Sequence, residues 1–418
     1  MSISSNYPSI RPSLLLDFAR SKALDPRITF TRTTTATRVN SDGLIETVDA
    51  GAPRFDHDPL TGLCKGLLIE EQRTNLLLRS DLSVNSYTQD ATVTANSIAS
   101  PDGTVNATLL TSTLTGGSNT CYVDRSATVT TSTTYTFSVF LKAGTSPTST
   151  INLWFSGGTF RQVVGIINWS TLAYTVTSTD STGTGTITNY GNGWYRLTIT
   201  YDSGNNTISY SRVYVRDSGP NNVTGETVYA WGRQTEAGAF PTSYIPTTTA
   251  TVTRNGDLAS MTGTNFSSWF NNAEGTLYAA GYSDVLTVAG NKPRLVVLRN
   301  SLDTNFNRNS ISLQRNSTAL ESAVYLSAVS QAYFFGAVGD LSNSRLGKAA
   351  IAYKFNDINV SCNGDIENTD TSAQIPVVDM INIGEHGFSG IGPWNGHISK
   401  VAYYPVRLTN DQLQALTR

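Results

Sequence analysis

The sequence predicts an all-β chain of antiparallel sandwiches, and three observations carry that prediction. Hydrophobic residues alternate with period two: Tyr135, Phe137, Val139 and Leu141 share one face of YTFSVFLKA, and Tyr195, Leu197, Ile199 and Tyr201 one face of WYRLTITY. Turn clusters such as Gly157-Gly158, Gly191–Gly193 and Asn205-Asn206 punctuate these runs at short spacing, with no helical period between them. Only 14% of residues are charged, against about 25% in typical domains. Thr, Ser and Asn must then supply the polar surface, and they favour strands and turns over helices.

At 418 residues the chain is long for one core and predicts two or three domains. Residues 1–80 read as an N-terminal arm and a β-rich docking segment. Pro8, Pro12 and Pro26 suit an extended arm leading to a short strand at Leu14–Phe18. From Arg27 the segment carries turns at Asp42-Gly43 and Thr61-Gly62, and an apolar run at Leu67–Ile69 continuing as a short strand and then a turn or helical piece. Nothing in it could bury a full core alone, so it should pack on another domain or another subunit. Residues 81–257 read as a jelly-roll sandwich, with ISYSRVYVR (Ile208–Arg216) and Thr227–Trp231 among its strands. Residues 258–418 read as a second sandwich, with strands in GTLYAAGY, RLVVLRN, AIAYKF, INVSCNG and HISKVAYYP. Asn356-Asp357 and Asn363-Gly364 are its hairpin-turn candidates. Thr409, followed three residues on by Gln412, forms a capping-box pattern opening a short C-terminal helix with Leu413 and Leu416 inward. One fragment recurs: TTTATRVN at Thr33–Asn40 and TTTATVTRN at Thr247–Asn255 flank the middle block. This is either an internal correspondence placing both in one layer or a chance match in a Thr-rich chain.

The totals exclude several classes. With 29 Lys+Arg against 31 Asp+Glu, the net charge of -2 supplies no basic footprint for nucleic acid or an acidic membrane surface. Cys64, Cys121 and Cys362 are too few and too scattered for a disulfide framework or a zinc site, so no cofactor is expected. Leu14-Leu15-Leu16 is too short for a signal-peptide core, which leads us to expect synthesis in a cytoplasm without general export. No apolar run approaches the length of about 18 residues of a membrane span. There is no G-x-S-x-G elbow, no phosphate-binding loop of the GxxxxGK[ST] type and no dinucleotide fingerprint.

Three strings add a resemblance. FTRTTTATRVNSDGLIETV with PRFDHDPLTG and KGLLIEEQRTNLLLRSD resembles the opening segment of many tailed-bacteriophage fibre and virion-surface proteins. GRQTEAGAFPTSYIPTTTATVTRNGD (232–257) resembles the close of the carbohydrate-binding-type jelly roll that follows it in those proteins. AIAYKFNDINVSCNGD and PWNGHISKVAYYPVRLTNDQLQALT resemble a concanavalin A/laminin G-type lectin sandwich. The resemblance implies a structural subunit of a tail or head fibre or spike, made in the host cytoplasm and placed on the virion surface. Its implied partners are other virion proteins, copies of itself with a trimer as the expected state, and a host-surface glycan.

Sugar recognition needs aromatic faces for the apolar side of a pyranose and planar polar groups for its hydroxyls. Trp154 in NLWFSGG, Trp169 in INWST, and Trp394 with Asn395 and His397 in GIGPWNGH are the carbohydrate-binding candidates; Trp194 and Trp231 are expected in cores. Arg32, Arg38, Arg54 and Arg73 are the assembly and docking candidates, expected to tie backbone and carboxylates together. Asp56 and Asp58 in FDHDP offer oxygen ligands for calcium, set against a plain Asx turn. A polysaccharide depolymerase is the alternative, but it needs two carboxylates about 5 or 6.5–9.5 Å apart. Adjacent Glu70 and Glu71 would point to opposite strand faces, and Glu226, Glu236, Glu274 and Glu385 stand in no motif. A decoration protein without a ligand is the third reading.

Overall fold

A computed structural model describes residues 6–83, 86–114, 120–217, 222–283, 292–303, 308–315, 320–335, 346–366, 369–385 and 392–418. The chain is built from strands that pair antiparallel among the described residues, with short helices that include Asn410–Thr417.

The middle sandwich packs two six-stranded sheets. One runs Thr184–Asn189, Trp194–Asp202, Thr134–Ala143, Thr227–Ala237, Val105–Ser112, Ala91–Ala99; the other runs Tyr174–Ser178, Arg161–Asn168, Thr148–Ser156, Ile208–Tyr214, Tyr122–Thr128, Tyr87–Gln89. Phe137 lies opposite Ile199 and Val139 opposite Leu197, so the alternating apolar set of each strand meets its neighbour's. These side chains pack against Ile151, Leu153 and Phe155 of the facing sheet. A one-residue slip would turn Thr136, Ser138, Thr198 and Thr200 inward instead, which fixes the register. Between Ser138 and Phe140 the pairing with Thr227–Ala237 shifts at a bulge. Gly232, at φ +63, takes the left-handed conformation there, where a Cβ would press on the Phe140 ring. The bulge sets Phe140 opposite Trp231 on the outer face. Trp194 and Trp231 are buried as expected, but in that outer-face cluster with Val39, Ile45 and Tyr244 rather than between the sheets.

The second sandwich is discontinuous. One sheet runs Asp365–Ile366, Asp357–Cys362, Leu346–Lys354, Glu274–Tyr282, Gly396–Tyr404, Cys64–Ile69, Phe55–His57, with Leu14–Asp17 also paired to Gly396–Tyr404. The facing sheet runs Thr29–Thr31, Leu258–Thr262, Met380–Ile383, Arg294–Arg299, Ser310–Arg315, Leu320–Leu326, Val329–Phe335. Residues 1–80 are therefore not a layer beside a self-sufficient 258–418 unit; they supply strands to both of its sheets. Leu14, Leu16, Phe18, Phe55, Leu67 and Ile69 share a core with Leu277, Ile351, Val401 and Tyr403. The reason is visible locally. Leu67–Ile69 is too short to bury itself, and Gly396–Ile398 presents an open edge that pairs with it residue for residue. Gly66, at φ +113, allows the close approach, since a Cβ there would strike the Ile398 carbonyl.

The C-terminal helix has the expected box: Gln412 N donates to Thr409 Oγ1 at 3.3 Å, and Thr409 N donates to Gln412 Oε1 at 3.0 Å. Leu413 and Leu416 pack on Ala350, Ala352 and Tyr404. Asn363 and Gly364 both have positive φ and turn the chain into Asp365–Ile366. The other hairpin turns one residue earlier than expected: Lys354 pairs with Asp357, leaving Phe355 and Asn356 as its corner.

The middle sandwich enters and leaves through one two-stranded ribbon, Arg73–Asn75 against Val252–Arg254. Beside it sits a buried ion cluster. Arg54 donates to Glu70 at 2.7 Å, to Ser243 Oγ at 2.8 Å, to the Thr37 carbonyl at 3.0 Å and to Asp257. Arg32 donates to Asp257 at 3.0 Å and to the carbonyls of Thr34 and Asp49, and Arg254 lies 3.5 Å from Glu70. The two TTTAT copies do not form equivalent strands. Ala36–Val39 pairs with Ile45–Val48 and Val252–Arg254 pairs with Arg73–Asn75, although Asn255 does donate to the hydroxyls of Thr33 and Thr34.

Candidate functional site

The structure separates the carbohydrate-binding candidates. Trp394 is 1% exposed, its indole N–H donating to the carbonyls of Tyr282 and His397, so it is core rather than a sugar platform. Trp169 packs on the middle core beside Tyr195, and its N–H donates to Ser149 Oγ at 3.0 Å. Asn395, at φ +49, bonds Glu71 from both ends of its amide and staples its loop to the N-terminal segment. His397 is buried, with Nε2 at 2.7 Å from Asp56.

Asp56 and Asp58 do not converge on an ion. Asp56 accepts from the Val39 N–H and pairs with His397 and Lys65, whereas Asp58 accepts from Leu60 and Thr61 in an Asx turn. Asp56 lies within the strand Phe55–His57 while Asp58 stands beyond its end in the turn, and among the described residues no group of three or more His, Cys, Asp or Glu side chains could hold a metal ion. Of the docking arginines, Arg32 and Arg54 are spent inside this chain. Arg38 makes a half-exposed pair with Glu46 at 2.7 Å, and Arg73 pairs with Glu71 and covers the Phe240 ring. The acids considered for hydrolysis are also held: Glu226 by Arg216, Glu236 by Thr242, Glu274 by the Arg407 N–H and Glu385 by Asn382.

Of the candidate tryptophans, Trp154 alone stands in a surface suited to a ligand. Strand alternation puts Trp154, Tyr210, Arg212, Tyr122 and Asp124 on the outer face of one middle sheet, opposite the inward Leu153, Phe155, Val123 and Val213. Register sets Trp154 opposite Tyr210, with rings stacked at 4.7 Å and 26°. Register also sets Asp124 opposite Arg212, with Arg212 Nε donating to Asp124 Oδ2 at 3.3 Å. The Arg212 guanidinium lies 4.3 Å from the Trp154 centroid and 4.6 Å from that of Tyr122. Burial pushes the Asp124 carboxyl up, against the pull of Arg212. At the two ends, Phe160 (53% exposed) lies 6.4 Å from Trp154, and Tyr87 (58% exposed) lies 6.2 Å from Tyr122. The array crosses four strands, roughly 14 Å at normal strand spacing, which suits an extended chain better than a single small molecule. Exposed aromatic patches rimmed by polar groups mark binding surfaces. Tyr210 and Arg212, and Tyr122 and Asp124, are same-face pairs at i, i+2 in ISYSRVYVR and CYVDR. That spacing is the signal in the sequence that could have pointed to them.

No family model matches the chain, and no curated protein matches it in sequence. Among solved structures it is similar to the CBM40 module of a Ruminococcus gnavus IT-sialidase bound to α2,6 sialyllactose, at 14% identity and TM-score 0.31, over 35% of this chain and 85% of that one. It is also similar to Trypanosoma rangeli sialidase in complex with sialic acid (10% identity, TM-score 0.28, 74% and 66%) and to mouse laminin α1 domains LG4-5 (9%, 0.25, 66% and 83%). At TM-scores below 0.5 these likenesses carry nothing about site or ligand.

The junction titrates in one direction. Burial would raise the Glu70 carboxyl, but Arg254, Arg54 and Ser243 more than offset it and hold it well below the carboxylate range. Burial and Lys65 push His397 down against the pull of Asp56, and His397 in turn helps hold Asp56 down. Groups whose folded values are depressed contribute stability above their unfolded values and lose it as pH falls. Thermal stability is therefore expected to decline below the ordinary histidine value of 6.5 and faster below the ordinary glutamate value of 4.5. Melting curves from pH 8 to 4 check this, and His397→Asn should flatten the upper part.

Proposed function

We propose that the protein is a structural subunit of a tailed-bacteriophage particle, a tail or head fibre or spike, that holds host-surface glycan on the outer face of its middle sandwich. The observation that carries the glycan half is the array of Trp154, Tyr210, Tyr122 and Tyr87 around the Arg212–Asp124 pair. Ring faces take the apolar side of a pyranose, and the charged pair takes its hydroxyls. Support for the particle half is the resemblance of the opening segment and of residues 232–257. Those strings also contain Arg32, Arg54, Glu70, Arg254 and Asp257, the residues of the buried junction. Assembly with other virion proteins would use surfaces other than Arg32 and Arg54, which are enclosed. Several copies per particle would turn weak single sites into firm adhesion.

Purified protein is expected to bind polysaccharide isolated from the host, and Trp154→Ala to weaken that binding by about 2 kcal/mol, roughly thirtyfold in Kd, without changing the melting temperature of the terminal sandwich. Wild-type protein that ignores host polysaccharide, or a Trp154→Ala variant that binds as well, sinks the adhesive role. Labelled antibody on intact particles, finding this chain on neither head nor tail, sinks the structural one.

A further inference from the structure

The other outer face of the middle sandwich borders a cleft. There the strands Thr184–Asn189 and Trp194–Asp202 floor a cleft of about 540 Å³, walled by the N-terminal segment and the loop around Gly396. Its floor is a threonine ladder: Thr186 and Thr198 share a 2.7 Å hydroxyl bond, and Thr200 bonds Thr136 at 2.8 Å. In the middle of that floor is Arg196, 6% exposed. It donates to Ser138 Oγ at 2.9 Å and lies over the Phe140 ring, and its Nε is buried without a partner.

The charges around it are already committed. Asp56 is taken by His397 and Lys65, Glu70 by Arg54 and Arg254, and Arg38 by Glu46. Among the described residues no carboxylate pairs with Arg196. A buried guanidinium without a counterion is costly unless something supplies the negative charge, and a guanidinium's planar fork matches a carboxylate. The threonine hydroxyls and the Asp56–His397 pair beside it offer donors and acceptors for hydroxyl groups, and the volume lies within the usual range of small-ligand sites.

We infer that this cleft binds a polyhydroxylated carboxylate, an acidic sugar of the uronate type, with its carboxylate on Arg196 and its hydroxyls on the threonine floor. It stands on the opposite sheet from the Trp154 array and does not depend on it.

The test uses the full chain with sodium glucuronate, neutral glucose and sodium phosphate as probes, followed by calorimetry and thermal melting. Glucuronate at tens of millimolar is expected to bind and raise the melting temperature, as any ligand of the folded state does, while glucose and phosphate do not. Arg196→Met should weaken glucuronate binding about tenfold or more, the loss of a charge-assisted pair, with no fall in the melting temperature of the ligand-free protein. A merely structural Arg196 would instead show that fall with glucuronate binding unchanged. Should Arg196→Met fail to fold, Thr186→Val carries the test through a severalfold loss of affinity. Trp154→Ala must leave glucuronate binding intact, which separates this site from the polysaccharide surface. Glucose binding as well as glucuronate, phosphate competing fully, an Arg196→Met variant that binds normally, or no binding at all would each overturn the inference.

Discussion

Replacing Asp257 with Ala is expected to cost about 3–5 kcal/mol, the range for removing one partner of a buried ion pair. Asp257 receives Arg32 and Arg54 and also accepts the Glu70 N–H at 2.9 Å. Arg32, Arg54 and Arg254 face only two carboxylates as it is, and the change would leave them with Glu70 alone. The backbone carbonyls now bonded to Arg32 and Arg54 cannot replace a charge. Denaturant unfolding of the full chain measures the effect. The matched control is Arg38→Ala at the half-exposed Arg38–Glu46 pair, where about 1 kcal/mol or less is expected. Equal losses at the two positions would mean that burial is not what gives the cluster its weight.

Residues 258–418 expressed alone are expected not to fold. The fragment would lack Leu14, Leu16, Phe18, Phe55, Leu67 and Ile69, all of them members of the shared core. At roughly 1.5–3 kcal/mol per buried side chain, the loss is on the order of 10 kcal/mol, comparable to the whole stability of a typical domain. It would also open the edge of Gly396–Tyr404 that Leu14–Asp17 and Cys64–Ile69 now cover, an unpaired edge that invites aggregation. Residues 76–250 should in contrast give a compact monomer, because the middle core includes Leu77 and Leu82 but no side chain from the terminal sandwich. Dispersed amide spectra for the middle fragment and aggregation of 258–418, relieved by co-expressing residues 1–80, are the expected results. A well-folded 258–418 would show the N-terminal strands to be accessories.

Range of interaction separates the features legible in the sequence from those that are not. Local signals were legible: alternation in YTFSVFLKA and WYRLTITY, the Thr409–Gln412 box, and the Asn363-Gly364 corner all concern neighbours within a few residues. What was missed is non-local. Nothing near Leu67 says that its partner is Ile398, and nothing near Asp56 points to His397. The tryptophans show the same limit. Trp394 sits in a Gly- and Pro-bearing loop that reads as open, yet two carbonyls distant in space satisfy its N–H; Trp154 lies mid-strand, and only register reveals its stacked partner.

The pairing of Leu14–Asp17 with Lys400–Tyr403 also sets an order of events during synthesis. Ser13 and the Tyr403 carbonyl it contacts are 390 residues apart. At about 5–20 residues per second of elongation, the first strand waits roughly 20–80 s for its partner to emerge. Closing so long a loop is entropically slow. The middle sandwich, complete well before then, brings its own ends together at the Arg73–Asn75 and Val252–Arg254 ribbon and so shortens the span left to close. The inserted domain thus acts as an internal clamp for the nascent chain, and a ribosome stalled before Gly396 would hold a finished middle sandwich beside unpaired strands that are ready to capture another chain.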